Sequence, residues 1–296
     1  MTRKTTADFP PEVLKLFDLF VHGFIDRRGF LEGAKKFAVG ASGGAAFLEA
    51  LSPRFAEAQQ VKPDDPRIKG KTLEAPSPEG YGTIKGYFVQ PANTSGKLPT
   101  ILVIHENRGL NPHIEDIARR LALDNFIAFA PDALAPLGGY PGDEDKAREL
   151  FTKLDQPKTR NDFLTAFNVL KTCPIGNGKV GAVGFCYGGG IVNFLATKRP
   201  DLGAGVPFYG AAPPVEEVAN IKAPLLLQFA GADDRINAGW PGYEAALKAA
   251  KVDYEAFIYP GVQHGFNNDT TPRYDESAAK LAWSRTIDFF NKHLRG

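Results

Sequence analysis

The chain has 296 residues, 43% of them hydrophobic and 23% charged, with a formal net charge of +1. These are proportions of an ordinary globular protein with room for one large domain or two small ones. Near-neutral charge gives no polyelectrolyte character that would point to nucleic acid or an acidic surface as partner. Two cysteines, Cys173 and Cys186, make no disulfide framework, and no repeat or membrane-spanning stretch is legible.

The N-terminus departs from the rest. Residues 27–31 read Arg-Arg-Gly-Phe-Leu and precede a mild apolar stretch, Phe37 to Leu51, then Ala56-Glu57-Ala58. A charged region, an apolar region and a small-x-small site are the parts of an export signal. The arginine pair followed by x-Phe-Leu resembles the twin-arginine signal, which implies a periplasmic or secreted protein. Cutting after Ala58 would leave residues 59–296 as one compact domain, with no stable membrane insertion. The competing reading is an amphipathic N-terminal helix carrying a chance arginine pair.

From about residue 83 strand-like and helix-like patterns alternate. Thr83–Gln90 alternates apolar and polar residues, as a half-exposed antiparallel strand does. Thr100–Ile104 is a continuous apolar run of the kind covered on both faces. A helical pattern, His113–Asn125, turns Ile114, Ile117, Leu121 and Leu123 inward. Phe126–Ala130 is a second buried strand, and the Gly/Pro-rich stretch Pro131–Asp143 suits a pocket wall. A helix over Thr159–Thr172 leads to the strand Val180–Phe185, a helix from Tyr187 to about Lys198, and strands Ala204–Phe208 and Pro224–Ala230. A helix around Tyr243–Lys251, the strand Tyr254–Tyr259 and a helix over Glu276–His293 complete the order. This alternation predicts an α/β fold with a mostly parallel central sheet and helices on both faces. Sites in such sheets lie beyond the carboxyl ends of strands.

Four such ends carry chemistry. They are His105-Glu106-Asn107-Arg108-Gly109, Cys186, Gly231-Ala232-Asp233-Asp234-Arg235, and Pro260-Gly261-Val262-Gln263-His264-Gly265-Phe266. The order nucleophile, acid, histidine, with Gly184-Phe185-Cys186-Tyr187-Gly188 between strand and helix, is that of the α/β-hydrolase nucleophile elbow. A nucleophile in a strained turn needs neighbours without side chains two residues away, and Gly184 and Gly188 supply them. The following helix points its N-terminus at the thiol and favours thiolate. The amides of Tyr187 and Asn107 are the expected oxyanion donors.

Taken together, His105–Gly109, Pro131-Asp132, Gly178–Gly181, Gly184–Gly189, Gly231–Asp234 and Tyr259–Phe266 make the chain resemble the dienelactone hydrolase (carboxymethylenebutenolidase) family over about residues 75–295. The resemblance implies Cys186 as nucleophile and His264 as base and later acid. It also implies Asp233 as the orienting acid, ahead of its neighbour Asp234, and Glu106 as the group that helps generate the thiolate. The expected activity is hydrolysis of a small-molecule ester or lactone through a thioester, with no cofactor. One departure narrows the substrate. Two arginines that hold the carboxylate of dienelactone in the family correspond here to Pro136 and Asn268. Arg108 and Arg273 are the candidates to replace them, and a broader ester, lactone or thioester substrate is expected. The rival readings are another acyl transfer, a carbon–halogen or carbon–carbon hydrolysis, or a periplasmic binding or redox-responsive protein.

Other residues have plainer readings. Cys173, before Pro174, reads as structural. His105 beside Glu106 lacks a second histidine at helical spacing, so no metal site is expected. His22, His113 and His293 read as surface residues. Gly188–Gly190 is followed by no Lys-Ser/Thr pair and is no phosphate loop. Asp132 reads as fixing a turn, and Tyr187 and Phe266, candidate substrate-binding residues, either line the pocket or pack beneath it, with the pocket favoured for Tyr187.

Overall fold

The computed structural model describes residues 4–37 and 43–295. Eight strands form one sheet: β1 (Ile68–Ser77), β2 (Gly82–Pro91), β3 (Leu98–Ile104), β4 (Ile127–Pro131), β5 (Gly176–Phe185), β6 (Ala204–Phe208), β7 (Leu225–Ala232) and β8 (Tyr254–Gln263). Their order is β1-β2-β4-β3-β5-β6-β7-β8. The first two pairings, β1 with β2 and β2 with β4, are antiparallel, and every later one is parallel. The α/β reading of the sequence is therefore the architecture observed. The edge strand β1 was not legible, and its composition explains why. Lys69, Lys71, Thr72 and Glu74 are all exposed, so neither an apolar run nor an alternation marks it.

Helices cover both faces. Four belong to the N-terminus: α1 (Pro11–Val21), α2 (Arg27–Ala34), α3 (Gly43–Leu51) and the short α4 (Phe55–Ala58). The rest are α5 (Pro112–Leu123), α6 (Glu144–Phe151), α7 (Gln156–Lys171), α8 (Tyr187–Lys198), α9 (Asp234–Asn237), α10 (Trp240–Ala250) and α11 (Glu276–Leu294). One core layer joins the sheet to α5 and α11 through Ile114, Ile117, Leu121, Phe289 and Phe290. The other joins it to α7, α8 and α10 through Phe163, Phe167, Leu195 and Leu247.

The N-terminal helices form a third cluster of their own. On α1, Val13, Leu14, Phe17, Phe20 and Val21 are buried, the spacing of one face of a 3.6-residue helix. Asp26 caps α2 by accepting from the Gly29 N–H at 2.7 Å. Phe30, within the Arg-Arg-Gly-Phe-Leu stretch, is fully buried and stacks edge-on against Phe17 at 6.0 Å between centroids. Arg28, by contrast, is exposed and pairs with Glu32. Part of the apolar stretch, residues 38–42, lies outside the described residues.

This layer is tied to the sheet domain by polar contacts. The Val21 carbonyl accepts from Asn107 Nδ2 at 2.8 Å and Arg108 Nη2 at 3.1 Å. Arg148 donates to the Phe20 carbonyl at 2.7 Å and lies over the Phe20 ring. Arg27 is ion-paired with Asp145, and the Arg54 amide donates to the Thr270 carbonyl at 2.8 Å.

Candidate active site

The turn after β5 bends the backbone hard. Cys186 has φ 56° and ψ −113°, a conformation costly for any residue with a Cβ. It is held by its own amide donating to Phe208 O at 3.1 Å and by its carbonyl accepting from Gly189 N at 3.0 Å. The glycines are there for clearance. A Cβ on Gly184 would overlap the Gly188 carbonyl, and one on Gly188 would overlap the Ile104 carbonyl. Tyr187 begins α8, so its N–H is one of the donors the helix leaves without an internal partner.

The other strand ends converge on this sulfur. Asp233 follows β7 and caps α9 by accepting from Ile236 N, while its second oxygen accepts a hydrogen bond from His264 Nδ1 at 2.5 Å. Both side chains are buried. Asp234 is exposed at the start of α9, which separates the two adjacent acids. Glu106 follows β3 and accepts from Asn268 Nδ2 at 3.0 Å. Glu106, Cys186 and His264 all line a small cavity of about 50 Å³ beneath the N-terminal layer.

A fifth contributor comes from outside the strand ends. His22 sits at the C-terminus of α1, and its Nδ1 donates to the Asp18 carbonyl at 2.7 Å, with the Asp18 carboxylate 3.3 Å away. That leaves Nε2 facing the centre, 3.4 Å from Cys186 Sγ and 3.3 Å from His264 Nε2. Arg235 Nη2 approaches the same Nε2 at 3.0 Å. His22 was expected on the surface. Its side chain keeps only 10% of its exposure, because a helix some 160 residues away in sequence is folded over the elbow.

Charge follows geometry. Burial would push the Cys186 thiol up, but the charges and hydrogen bonds of His264 and His22 bring it down to about 5. Burial alone would lower His22, and the facing thiolate with the Asp18 hydrogen bond raises it to about 9. His264 is likewise raised against burial, by Cys186 and Asp233, while the neighbouring His22 opposes that rise. Burial works against ionised Asp18, yet His22, His264 and Arg273 hold its carboxyl well below the usual range. The centre therefore favours thiolate beside imidazolium.

The sulfur opens on a main cavity of about 530 Å³. Tyr187, Ile191, Phe194 and Pro213 are among its walls, together with Asn107, Arg148, Arg160, Arg235 and both site histidines. Tyr187 donates to Gln156 at 3.0 Å and meets Phe151 edge-on. Phe266 is different from what the sequence suggested. It is fully buried among Phe208, Tyr209 and Tyr259 and reaches neither cavity. Arg108 reaches only the small cavity, where it faces Glu144 and Val21 O. Arg273 is there too, over the Phe17 ring.

Three further expectations resolve on local contacts. His113 is buried against Asp269 at 3.1 Å rather than exposed, and His293 is half-buried against Phe289. His105 spends both ring nitrogens on backbone, with Nδ1 on Glu106 O and Nε2 accepting from Ala133 N. Asp132 fixes its turn by accepting from the amides of Leu110, Leu134 and Tyr140. Among the described residues, His22, Cys186 and His264 form the one cluster of three metal-capable groups, within 4.8 Å of one another.

A strained cysteine at a strand–helix elbow, with a carboxylate-held histidine from the last strand, defines an α/β-hydrolase site. Comparison with known proteins makes the assignment specific. Residues 84–294 match the dienelactone hydrolase family model, and residues 1–39 match a YqhI-like model. A protein of Escherichia coli K12 named "Putative carboxymethylenebutenolidase" is 30% identical over 264 residues, covering 84% of this chain and 96% of that one. Also from E. coli K12, "Putative hydrolase fragment YghX" is 52% identical over 110 residues, 37% of this chain and 94% of its own length. The crystal structure of a "Putative Dienelactone Hydrolase" from Klebsiella pneumoniae superposes with a TM-score of 0.65 at 28% identity, covering 76% of this chain and 99% of that one. The chain belongs to the dienelactone hydrolase family.

Proposed function

We propose that the chain hydrolyses small carboxylic esters or lactones through a thioester on Cys186. The observation that carries this is the Asp233–His264 hydrogen bond beside a positive-φ cysteine at the mouth of the main cavity. The Cys186 thiolate adds to the substrate carbonyl carbon, and the carbonyl electrons move to oxygen. The amides of Tyr187 and Asn107 receive that charge. Return of the electron pair expels the alkoxide, which leaves with a proton from an imidazolium. Water then gives a proton to His264 as its oxygen adds to the thioester. Collapse releases the carboxylic acid and restores the thiolate. Glu106 acts on the thiol from the small cavity, so Glu106→Gln should lower the rate.

The substrate class follows from what surrounds the sulfur. Asn268 is engaged with Glu106, and Pro136 lies in a separate pocket with Thr83 and Thr159. Neither can clamp a carboxylate in the main cavity, whose walls are largely aromatic and aliphatic. A broad range of small esters and lactones is therefore expected, and Arg148, Arg160, Lys198 and Arg235 on the cavity wall leave carboxylate-bearing members among them.

Hydrolysis of p-nitrophenyl acetate tests the nucleophile. Cys186→Ala should lose about 10³-fold or more in kcat. Full activity in that variant would end the thioester reading. In a panel of esters with and without a free carboxylate, preference for the anionic members would give Arg160 or Arg235 the clamping role. Export to the periplasm or cell exterior is proposed separately, on Arg27–Leu31 together with the apolar stretch Phe37 to Leu51 and Ala56-Glu57-Ala58. Cell fractionation tests it, and N-terminal sequencing shows whether residues 1–58 travel with the enzyme.

A further inference from the structure

We propose that His22 is a second acid–base residue of the active site, donating the leaving-group proton, so that the N-terminal helical layer is part of the catalytic centre. This rests on the reading of Cys186 as nucleophile. His22 Nδ1 is committed to Asp18, so only Nε2 can exchange a proton with the reacting atoms. That nitrogen lies 3.4 Å from Sγ, inside the main cavity's wall. The arrangement repeats the Asp233–His264 pair, with the two Nε2 atoms side by side at 3.3 Å on one side of the sulfur.

Two contacts let His22 cycle. After it gives its proton to the departing alkoxide, its bare Nε2 faces Arg235 Nη2 at 3.0 Å. A guanidinium can only donate, so this contact is satisfied in the neutral state alone, and in the charged state Arg235, an exposed side chain, has to swing away while Nε2–H donates to the thiolate. Reprotonation comes from His264, whose Nε2 is 3.3 Å away. The balance then closes. His22 imidazolium protonates the alkoxide as the carbon–oxygen bond breaks and the thioester remains. Water gives a proton to His264 as its oxygen joins the acyl carbon, the carbon–sulfur bond breaks, and the acid leaves. His264 passes the extra proton to His22, and thiolate, imidazolium and neutral His264 are restored.

The placement is built by the layer, not by chance proximity. Val21, next to His22, is bonded by both Asn107 and Arg108 from the loop after β3. Asp18 is faced by Arg235 and Arg273 at 3.9 Å each. Removal of residues 1–58 would take away His22 and Asp18 and bare the small cavity.

Leaving groups separate this role from a structural one. p-Nitrophenolate departs without protonation, whereas an alkoxide needs an acid. In the full-length chain, assayed above the acid limb of each form, His22→Gln should lower kcat/KM on ethyl butyrate by about 10²-fold more than on p-nitrophenyl butyrate. Added imidazole should restore ethyl butyrate turnover to His22→Ala. Equal losses on both esters, no loss on either, or no rescue would overturn the proposal. Cys186→Ala, run beside them, should lose both substrates. Should it retain them, the nucleophile reading fails, and that result is distinct from a failure at His22.

Discussion

The two regions that meet at Cys186 are encoded in opposite ways. The elbow is local: Gly184, Cys186 and Gly188 lie within five residues, and each glycine is required by a backbone atom a Cβ would strike. The N-terminal layer is not local. Its helices bury Phe17, Phe20 and Phe30 against one another, and only their docking on Asn107, Arg108 and Arg148 brings His22 to the sulfur. Chemistry fixed by a turn is visible in a motif, while chemistry delivered by packing is not.

The largest expected effect breaks the local half. In Gly188→Ala the new methyl must displace the Ile104 backbone, which belongs to the central strand β3 and cannot yield cheaply. The elbow then opens and Sγ leaves the His22–His264 pair. Turnover of p-nitrophenyl acetate should fall by about 10²-fold or more, since a misplacement of about 1 Å costs that much. Normal turnover in a folded Gly188→Ala protein would show that the turn's clearance is not needed.

This contrast also explains what the sequence disclosed. The parallel strands were legible because burial on both faces makes apolar runs such as Ile101–Ile104 and Val180–Phe185. The strand-end residues followed from those runs, and the choice of Asp233 over Asp234 agrees with the His264 contact. Phe266 misled because a glycine-flanked aromatic beside His264 looks like a cavity wall, yet its ring fills the core behind the site. His22 left no trace of its place. Asp18 and His22 at i and i+4 on a helix end are an unremarkable pair, and nothing nearby says that the helix covers an elbow. The Arg-Arg-Gly-Phe-Leu stretch pulled the same residues towards a different reading, although Phe30 is a core residue of the layer.

Breaking the long-range half should have a smaller and more selective effect. Phe30 touches neither cavity, but its removal should cost the layer about 3–5 kcal/mol. Phe30→Ala should then expose residues 4–58 to limited proteolysis while the sheet domain stays intact. Ethyl butyrate turnover should fall roughly tenfold or more, and p-nitrophenyl butyrate turnover much less, as expected for loss of a proton donor. A layer that remains protease-resistant with unchanged turnover would mean that His22 is held by its polar contacts alone.

The smallest effect is a matter of pH, and it sharpens the comparison most. Cys186 is lowered to about 5, so its thiolate is present above that pH and is lost as pH falls through it. His22 is raised to about 9, so its proton is present below that pH and is lost as pH rises through it. The groups facing this pair are Asp18 from α1, Glu106 and Arg108 after β3, Tyr209 after β6, Arg235 from α9, His264 with Asp233 from the β8 and β7 ends, and Arg273 before α11. The two limbs should depend on different substrates. Both esters should lose activity about tenfold per pH unit below 5, whereas only the alkyl ester should decline above 9. In His22→Gln one of the cations holding the thiolate is gone, and the acid limb should move up towards the ordinary cysteine range of about 8.5. Identical alkaline limbs for the two esters would assign the leaving-group proton to His264 and reduce His22 to a charge that holds the thiolate.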